Sequence, residues 1–289
     1  MFLGKIAGVS LRINLLFLVS CVIYGCLGLL YEVILITSAV LLHEIAHTAV
    51  ALLNGVKVSE IELYPFGGQA RIDDFTGLNP HKEIRIAVAG PITSLFLAVA
   101  FFFAQGRILD QTYNYFININ LLLGLFNLLP ALPLDGGRIL RATLARRMGF
   151  KKATQRAALA GKLCAAAIFL YGGYLTITDF SGANLLLIGI FVFWGASREG
   201  KLLGYSFMRF LVHKKNELSR YGFLPAQNIV SQPGTKVIKI LNAVKPEYYV
   251  VVTVVDSQHN IVGMAGEAQL IEILWEIGPE AIIDNCISD

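Results

Sequence analysis

Long uncharged apolar runs separated by short charged intervals fill the first two-thirds of the chain, and a mixed polar and apolar pattern replaces them toward the end. A membrane helix takes about 20 apolar residues, so Ile13 to Tyr31, Val33 to Leu53, Ile86 to Ala104 and Phe116 to Leu134 are predicted as four spans. Ala157 to Ile177 and Ala183 to Ala196 are predicted as a fifth and a sixth, with Lys162 in the former able to snorkel toward headgroups. The first run follows Lys5 and Arg12 as a signal peptide would. A second apolar run comes almost at once, however, and no small-residue cleavage site stands out, which favours a retained helix.

Past Ala196 the pattern changes. Residues 198–223 read as a basic linker containing Arg198, Lys201, Arg209, Lys214, Lys215 and Arg220, and residues 224–289 as a separate soluble domain. In that domain the periodicity predicts a helix near Lys236 to Ala243 and a strand Tyr248 to Val255. A turn at Asp256 to Asn260, a strand Ile261 to Met264 and a helix Glu267 to Ile277 follow. The predicted fold class is a polytopic α-helical membrane protein of about six transmembrane helices, residues 1–197, with a small C-terminal α/β cytoplasmic domain.

Composition agrees with this pattern. Of the 289 residues 55% are hydrophobic and 15% charged, too apolar for an ordinary soluble protein. With six spans, the cations Lys5, Arg12, Lys57, Arg71, Lys82 and Arg85 and the basic run from Arg138 to Arg156 fall on one side, against Arg107 on the other. Positive charge marks the inside, so both termini are predicted to be cytoplasmic. The linker cations then lie just inside the membrane, where they suit headgroups rather than a nucleic acid. Cys21, Cys26, Cys164 and Cys286 show no metal-like spacing and read as buried or lipid-facing thiols.

The second predicted span contains His43-Glu44-Ile45-Ala46-His47. Residues i and i+4 share a helix face, so the two imidazoles project side by side as a pair of zinc ligands must. Glu44 is rotated away by one residue, close enough to act on a metal-activated water as general base. An ionisable group at mid-membrane costs about 2.5 to 3.5 kcal/mol and needs a functional reason or a partner. A catalytic zinc usually takes a third protein ligand, for which Asp135 is the best candidate. It ends the fourth predicted span in Asn127-Leu128-Leu129-Pro130-Ala131-Leu132-Pro133-Leu134-Asp135-Gly136-Gly137, where prolines and glycines break regular helix. The alternative for Asp135 is a helix cap or turn at the membrane surface. His81, His213 and His259 read as surface histidines.

His43 to His47 on one predicted span and Asn127 to Gly137 on another resemble the site-2 protease family of intramembrane metalloproteases, as do Pro65-Phe66-Gly67-Gly68 and Ala89-Gly90-Pro91. The resemblance runs from about Leu42 to Arg138. It implies one Zn2+ per chain held by His43, His47 and Asp135, with Glu44 activating water and Asn127 steadying the substrate or oxyanion. It also implies that Pro65, Phe66, Gly67 and Gly68 form a membrane-re-entrant loop against which an extended substrate lies by strand addition. Ile92-Thr93-Ser94 stands where many relatives carry an asparagine, which leaves the third helix without that polar support.

The six predicted spans and the tail resemble the sporulation branch of the bacterial enzymes, and Tyr249 to Gly263 with the following amphipathic helix resembles the latter half of a cystathionine-β-synthase-type (CBS) module. These likenesses imply a membrane-associated substrate such as a sporulation pro-sigma factor, and a membrane inhibitor or regulator. They also imply ATP or another adenine nucleotide at the tail, and a homo-oligomer that completes the module. The location implied is the mother-cell membrane around the forespore. The same family admits an anti-sigma factor or a signal-peptide remnant as substrate. A rival class, a membrane zinc transporter or sensor, also places histidines and carboxylates in helices; Glu44, a spare carboxylate beside a compact ligand set, argues for hydrolysis.

Overall fold

The computed structural model describes residues 2–6, 9–56, 58–64, 67–72, 79–104, 111–179, 182–201, 218, 222–241, 243 and 248–287. Pro65, Phe66, Arg107 and nearly all of the predicted linker beyond Lys201 lie outside them.

Two short strands precede the first helix, β1 (Phe2–Ile6) and β2 (Val9–Ile13), paired antiparallel. Strand β2 runs parallel to β3 (Val58–Tyr64), and β3 pairs antiparallel with β4 (Gly67–Ile72), giving a sheet in the order β1-β2-β3-β4 with β4 at its edge. In β3 the sequence Val-Ser-Glu-Ile-Glu-Leu-Tyr approximates the two-residue alternation of a half-buried strand. Buried Glu60 there meets the Arg12 guanidinium at 3.0 Å across β2 and β3. The lengths of apolar runs do not disclose this sheet, because no strand in it exceeds seven residues.

The helices are α1 (Leu15–Cys26), α2 (Leu30–Leu53), α3 (Pro80–Ala104), α4 (Gln111–Asn127), α5 (Asp135–Met148), α6 (Phe150–Asp179) and α7 (Ala183–Lys201). Three stretches among the described residues are long and apolar enough to cross a bilayer: Leu30–Leu53, Pro80–Ala104 and Phe150–Thr178. The first predicted span, Ile13 to Tyr31, is corrected. Ile13 belongs to β2, the helix has 12 residues, and Gly28 at φ 76° separates it from α2, a left-handed backbone that glycine adopts without strain. The fourth predicted span, Phe116 to Leu134, is corrected too. Helix α4 ends at Asn127, and Pro130 and Pro133, lacking N–H groups, cannot extend its hydrogen-bond ladder.

The segment between α4 and α5 is enclosed by protein. Ala131 packs with Ala165 of α6 and Val192 of α7, and Leu132 with Ala157 and Ala158 of α6. Irregular backbone at membrane depth survives only in such surroundings. Gly136 and Gly137 bring α5 onto it: a Cβ at Gly136 would strike the backbone of Leu128 and Leu129, and one at Gly137 that of Ala131 and Leu132. Helix α5 therefore starts at a position fixed by packing.

The tail contains β5 (Ala226–Ser231), α8 (Val237–Leu241), β6 (Tyr249–Val255), β7 (Ile261–Gly266), α9 (Glu267–Glu276) and a 3₁₀ turn, Ile283–Cys286. Strand β6 is central, parallel to β5 and antiparallel to β7. Its alternate residues Val250, Val252 and Val254 face a core with Leu241, Leu270 and Ile283. Helix α9 is tied at its start by the Gln269 side-chain oxygen, which accepts from the Gly266 N–H at 2.8 Å. In the turn after β6 the backbone N–H of Asn260 donates to Asp256 at 2.8 Å, holding that carboxyl below the usual carboxylate range. Periodicity predicts α8, β6, β7 and α9 close to these bounds; β5 and the 3₁₀ turn are additions. Phe150, at the start of α6, is buried in the tail's cluster.

Candidate metal centre

Helix α2 carries His43 and His47 one turn apart, their ring centroids 4.8 Å from each other. Asp135, the first residue of α5, points back at them: its Oδ2 lies 3.2 Å from His43 Nε2 and 3.0 Å from His47 Nε2. All three side chains are buried, and their donor atoms lie within 4.8 Å of one another. The sequence-predicted ligands thus meet, although Asp135 begins a helix instead of ending one.

The surroundings fit a metal. Helix α3 presents Ile86, Gly90 and Ser94 as a stripe at four-residue spacing, facing the histidines. The Ile86 carbonyl can only accept, so His47 Nδ1, 2.7 Å away, carries the proton and leaves Nε2 as a lone-pair donor. His43 Nδ1 lies 2.9 Å from Ser94 Oγ, which can accept from an Nδ1–H in the tautomer that leaves Nε2 as a lone-pair donor. At Gly90 a Cβ would collide with the Nε2 atoms of both histidines, so glycine lets α3 close over the donors. The other carboxylate oxygen, Asp135 Oδ1, faces Arg138 Nη1 at 3.8 Å. Two imidazole nitrogens and one carboxylate oxygen suit Zn2+ with a fourth position open to water.

Ser94 supplies the support from α3 that the sequence reading leaves unprovided. Its signal is spacing: Ser94 follows Gly90 by four residues and therefore shares its face. Half-buried Glu44 is outside the ligand set but within Coulombic range of His43, His47, Asp135 and Arg138. Asn127 donates its amide to the Leu123 carbonyl of its own helix at 3.0 Å. Gly67 and Gly68 sit in β4, paired with Tyr64 and Leu63, so these two positions are strand and not the loop that the resemblance implies. That strand packs against α2.

Two histidines and an aspartate converging at a membrane-crossing helix, with a glutamate next to them outside the ligand set, define a membrane-embedded centre of the hydrolytic metal-binding class. Residues 31–110 and 104–171 match Peptidase family M50. A solved structure described as a site-2 protease from Methanocaldococcus jannaschii superposes with a TM-score of 0.55 at 34% identity, covering 69% of this chain and 94% of that one. The chain belongs to this family, that of the site-2 proteases. A zinc metalloprotease of the same archaeon is 34% identical over 70% of this chain. Stage IV sporulation protein FB of Bacillus subtilis is 32% identical over 43% of it. The chain spans 60% and 44% of the lengths of these two relatives.

Proposed function

We propose that the chain is an intramembrane zinc endopeptidase that cuts a membrane-associated protein near the cytoplasmic face. The observation that carries this reading is the convergence of His43 and His47 Nε2 on Asp135 Oδ2 with Glu44 beside them and outside the ligand set. Zinc, when bound by these three residues, supplies a Lewis acid that acidifies water and polarises a carbonyl. Glu44 takes the proton from the attacking water and returns it to the departing amine. The Ile86 carbonyl holds His47 in the tautomer the ligand set needs, and Ser94 orients the His43 ring. The family likeness supports Asn127, once released from the Leu123 carbonyl, as a donor to the developing oxyanion.

A helical substrate hides its carbonyls in hydrogen bonds and must unwind before it is cut. Strand β4 supports a way to hold it: it is an edge strand packed on the helix that carries His43 and His47, so an extended segment can add to it through main-chain hydrogen bonds. The positive-inside pattern supports a cytoplasmic opening. The likeness to a sporulation protein supports a pro-sigma factor as the first substrate to try. For the tail, the succession of β6, β7 and α9 supports a CBS-type regulatory module that pairs between copies.

The test is co-expression with a tagged pro-sigma factor, comparing the intact chain with Glu44→Gln. Cleavage that stops while the purified variant still holds zinc establishes hydrolysis with Glu44 as base; equal cleavage by both chains defeats the assignment. Zinc uptake into vesicles that Glu44→Gln leaves unchanged, with no cleavage by either chain, would indicate transport instead.

A further inference from the structure

Below the metal centre, the interface of α3 and α5 encloses a second polar cluster. Arg141 of α5 places Nε 3.0 Å and Nη2 2.5 Å from the same Glu83 oxygen on α3, with both side chains no more than 4% exposed. Its third nitrogen, Nη1, lies 3.9 Å from Glu199 of α7. The guanidinium also sits 5.6 Å from the centroid of the Phe150 ring. One cation therefore joins α3, α5, α6 and α7.

A buried ion pair is weak evidence for stability, since well-packed apolar residues in its place are often neutral or better, whereas removing one partner strands a charge. What the pair adds is a fixed geometry between the elements that carry it. Those elements are the two that complete the metal site around α2. Helix α3 presents Glu83, Ile86, Gly90 and Ser94 along one face, the last three against the histidines. Helix α5 presents Asp135 at its first residue and Arg141 about 9 Å further along its axis. Near Asp135, α5 is pinned by Gly136 and Gly137 against the broken segment. Farther along it is pinned to α3 by Arg141. Two fixed points set the direction of a helix, and hence where its first side chain points.

We propose that Glu83 and Arg141 are positioning residues for the metal centre: by locking α5 to α3 they hold the Asp135 carboxylate at the distance from His43 and His47 that zinc requires. The proposal rests on the metal-centre reading above but not on the identity of any substrate. Its test uses full-length protein in the Glu44→Gln background, so that no readout depends on proteolysis. Zinc affinity is measured by competition with a chromophoric chelator, and ligand geometry by the visible spectrum of the cobalt-substituted protein. Arg141→Lys keeps the charge and loses the fork, and Glu83→Gln keeps the shape and loses the charge. Gly189→Ala, which crowds α7 against the Phe169 backbone, is the control for general destabilisation of the bundle.

The expected result is zinc binding weaker by about 3- to 10-fold in both interface variants, with an altered cobalt spectrum. Gly189→Ala should change neither, and the exchanged pair E83R/R141E should recover part of the loss. Unchanged affinity and spectrum in Arg141→Lys and Glu83→Gln overturn the proposal, as does an equal loss in Gly189→Ala. If the two variants do not fold, Glu199→Gln at the more exposed end of the cluster decides: weakened zinc binding is expected, and wild-type binding overturns the proposal. Equal cleavage by the intact chain and Glu44→Gln in the co-expression assay, with zinc affinity still sensitive to Arg141, would defeat the peptidase reading alone.

Discussion

The helical bundle and the tail are built in opposite senses. In the tail the large apolar residues of the core are branched aliphatics, among them Val237, Leu241, Val250, Val252, Val254, Leu270 and Ile283, and water drives them together. In the bundle most buried residues are small or polar, among them Ala39, Ala51, Ala87, Ala98, Ala142 and Ala157 with His43, His47, Ser94, Asp135 and Arg141, and the larger apolar ones, such as Ile86, Leu132 and Val192, are few. Most of its large side chains point outward, among them Phe103 at 77% and Ile177 at 85% exposure. Among lipid tails apolar area gives no drive for helices to associate, so close backbone approach and polar contacts hold them. One chain thus uses the hydrophobic effect to fold its tail and to insert its bundle, and leaves the assembly of the bundle to sterics and hydrogen bonds.

The contrast is sharpest at Gly90. Gly90→Val adds apolar bulk that the membrane tolerates, yet it forces carbon into the space of both Nε2 atoms. Zinc binding and cleavage should both fall below detection while the protein still inserts; retained zinc in metal analysis of the purified variant would break the comparison. The tail should respond to the reverse change. Leu270→Ala empties a fully buried site and should cost about 2 to 5 kcal/mol, read as a lowered tail transition in thermal unfolding with zinc retained. Ser94→Ala keeps the volume of a small residue and removes the oxygen at His43 Nδ1. Its zinc affinity should fall about 10-fold at unchanged melting temperature, measured by chelator competition. Smallest is Phe103→Ala, a large apolar truncation on the outer surface, expected within about 0.5 kcal/mol of wild type; a loss as large as that of Leu270→Ala would show that Phe103 packs against protein.

The same contrast explains what can be read along the chain. The ligand pair is legible because helix geometry is local: residues four apart share a face whatever surrounds them. In the tail, α8, β6, β7 and α9 are legible because burial follows periodicity there. The N-terminal sheet escapes a reading based on run length, since β2 lies more than 40 positions before its partner β3, and what makes them strands is pairing. Ser94 and Arg141 escape for a related reason: a serine after a Gly-Pro and an arginine in a basic run look ordinary until the helix they face is known.

By itself the sequence determined that the chain carries membrane-length apolar helices, that one of them bears a zinc-ligand pair with a glutamate beside it, and that Asp135 follows a stretch unable to continue as helix. These are consequences of hydropathy, helical period and proline chemistry, which act over a few residues. Only the tertiary structure decided that Asp135 begins α5, that Ser94 and the Ile86 carbonyl fix the imidazoles, that Gly90 opens the space between them, and that Glu83 and Arg141 tie α3 to α5. Each of those depends on two helices approaching closely, and the distance between helices is set by the small side chains and enclosed polar groups where they touch.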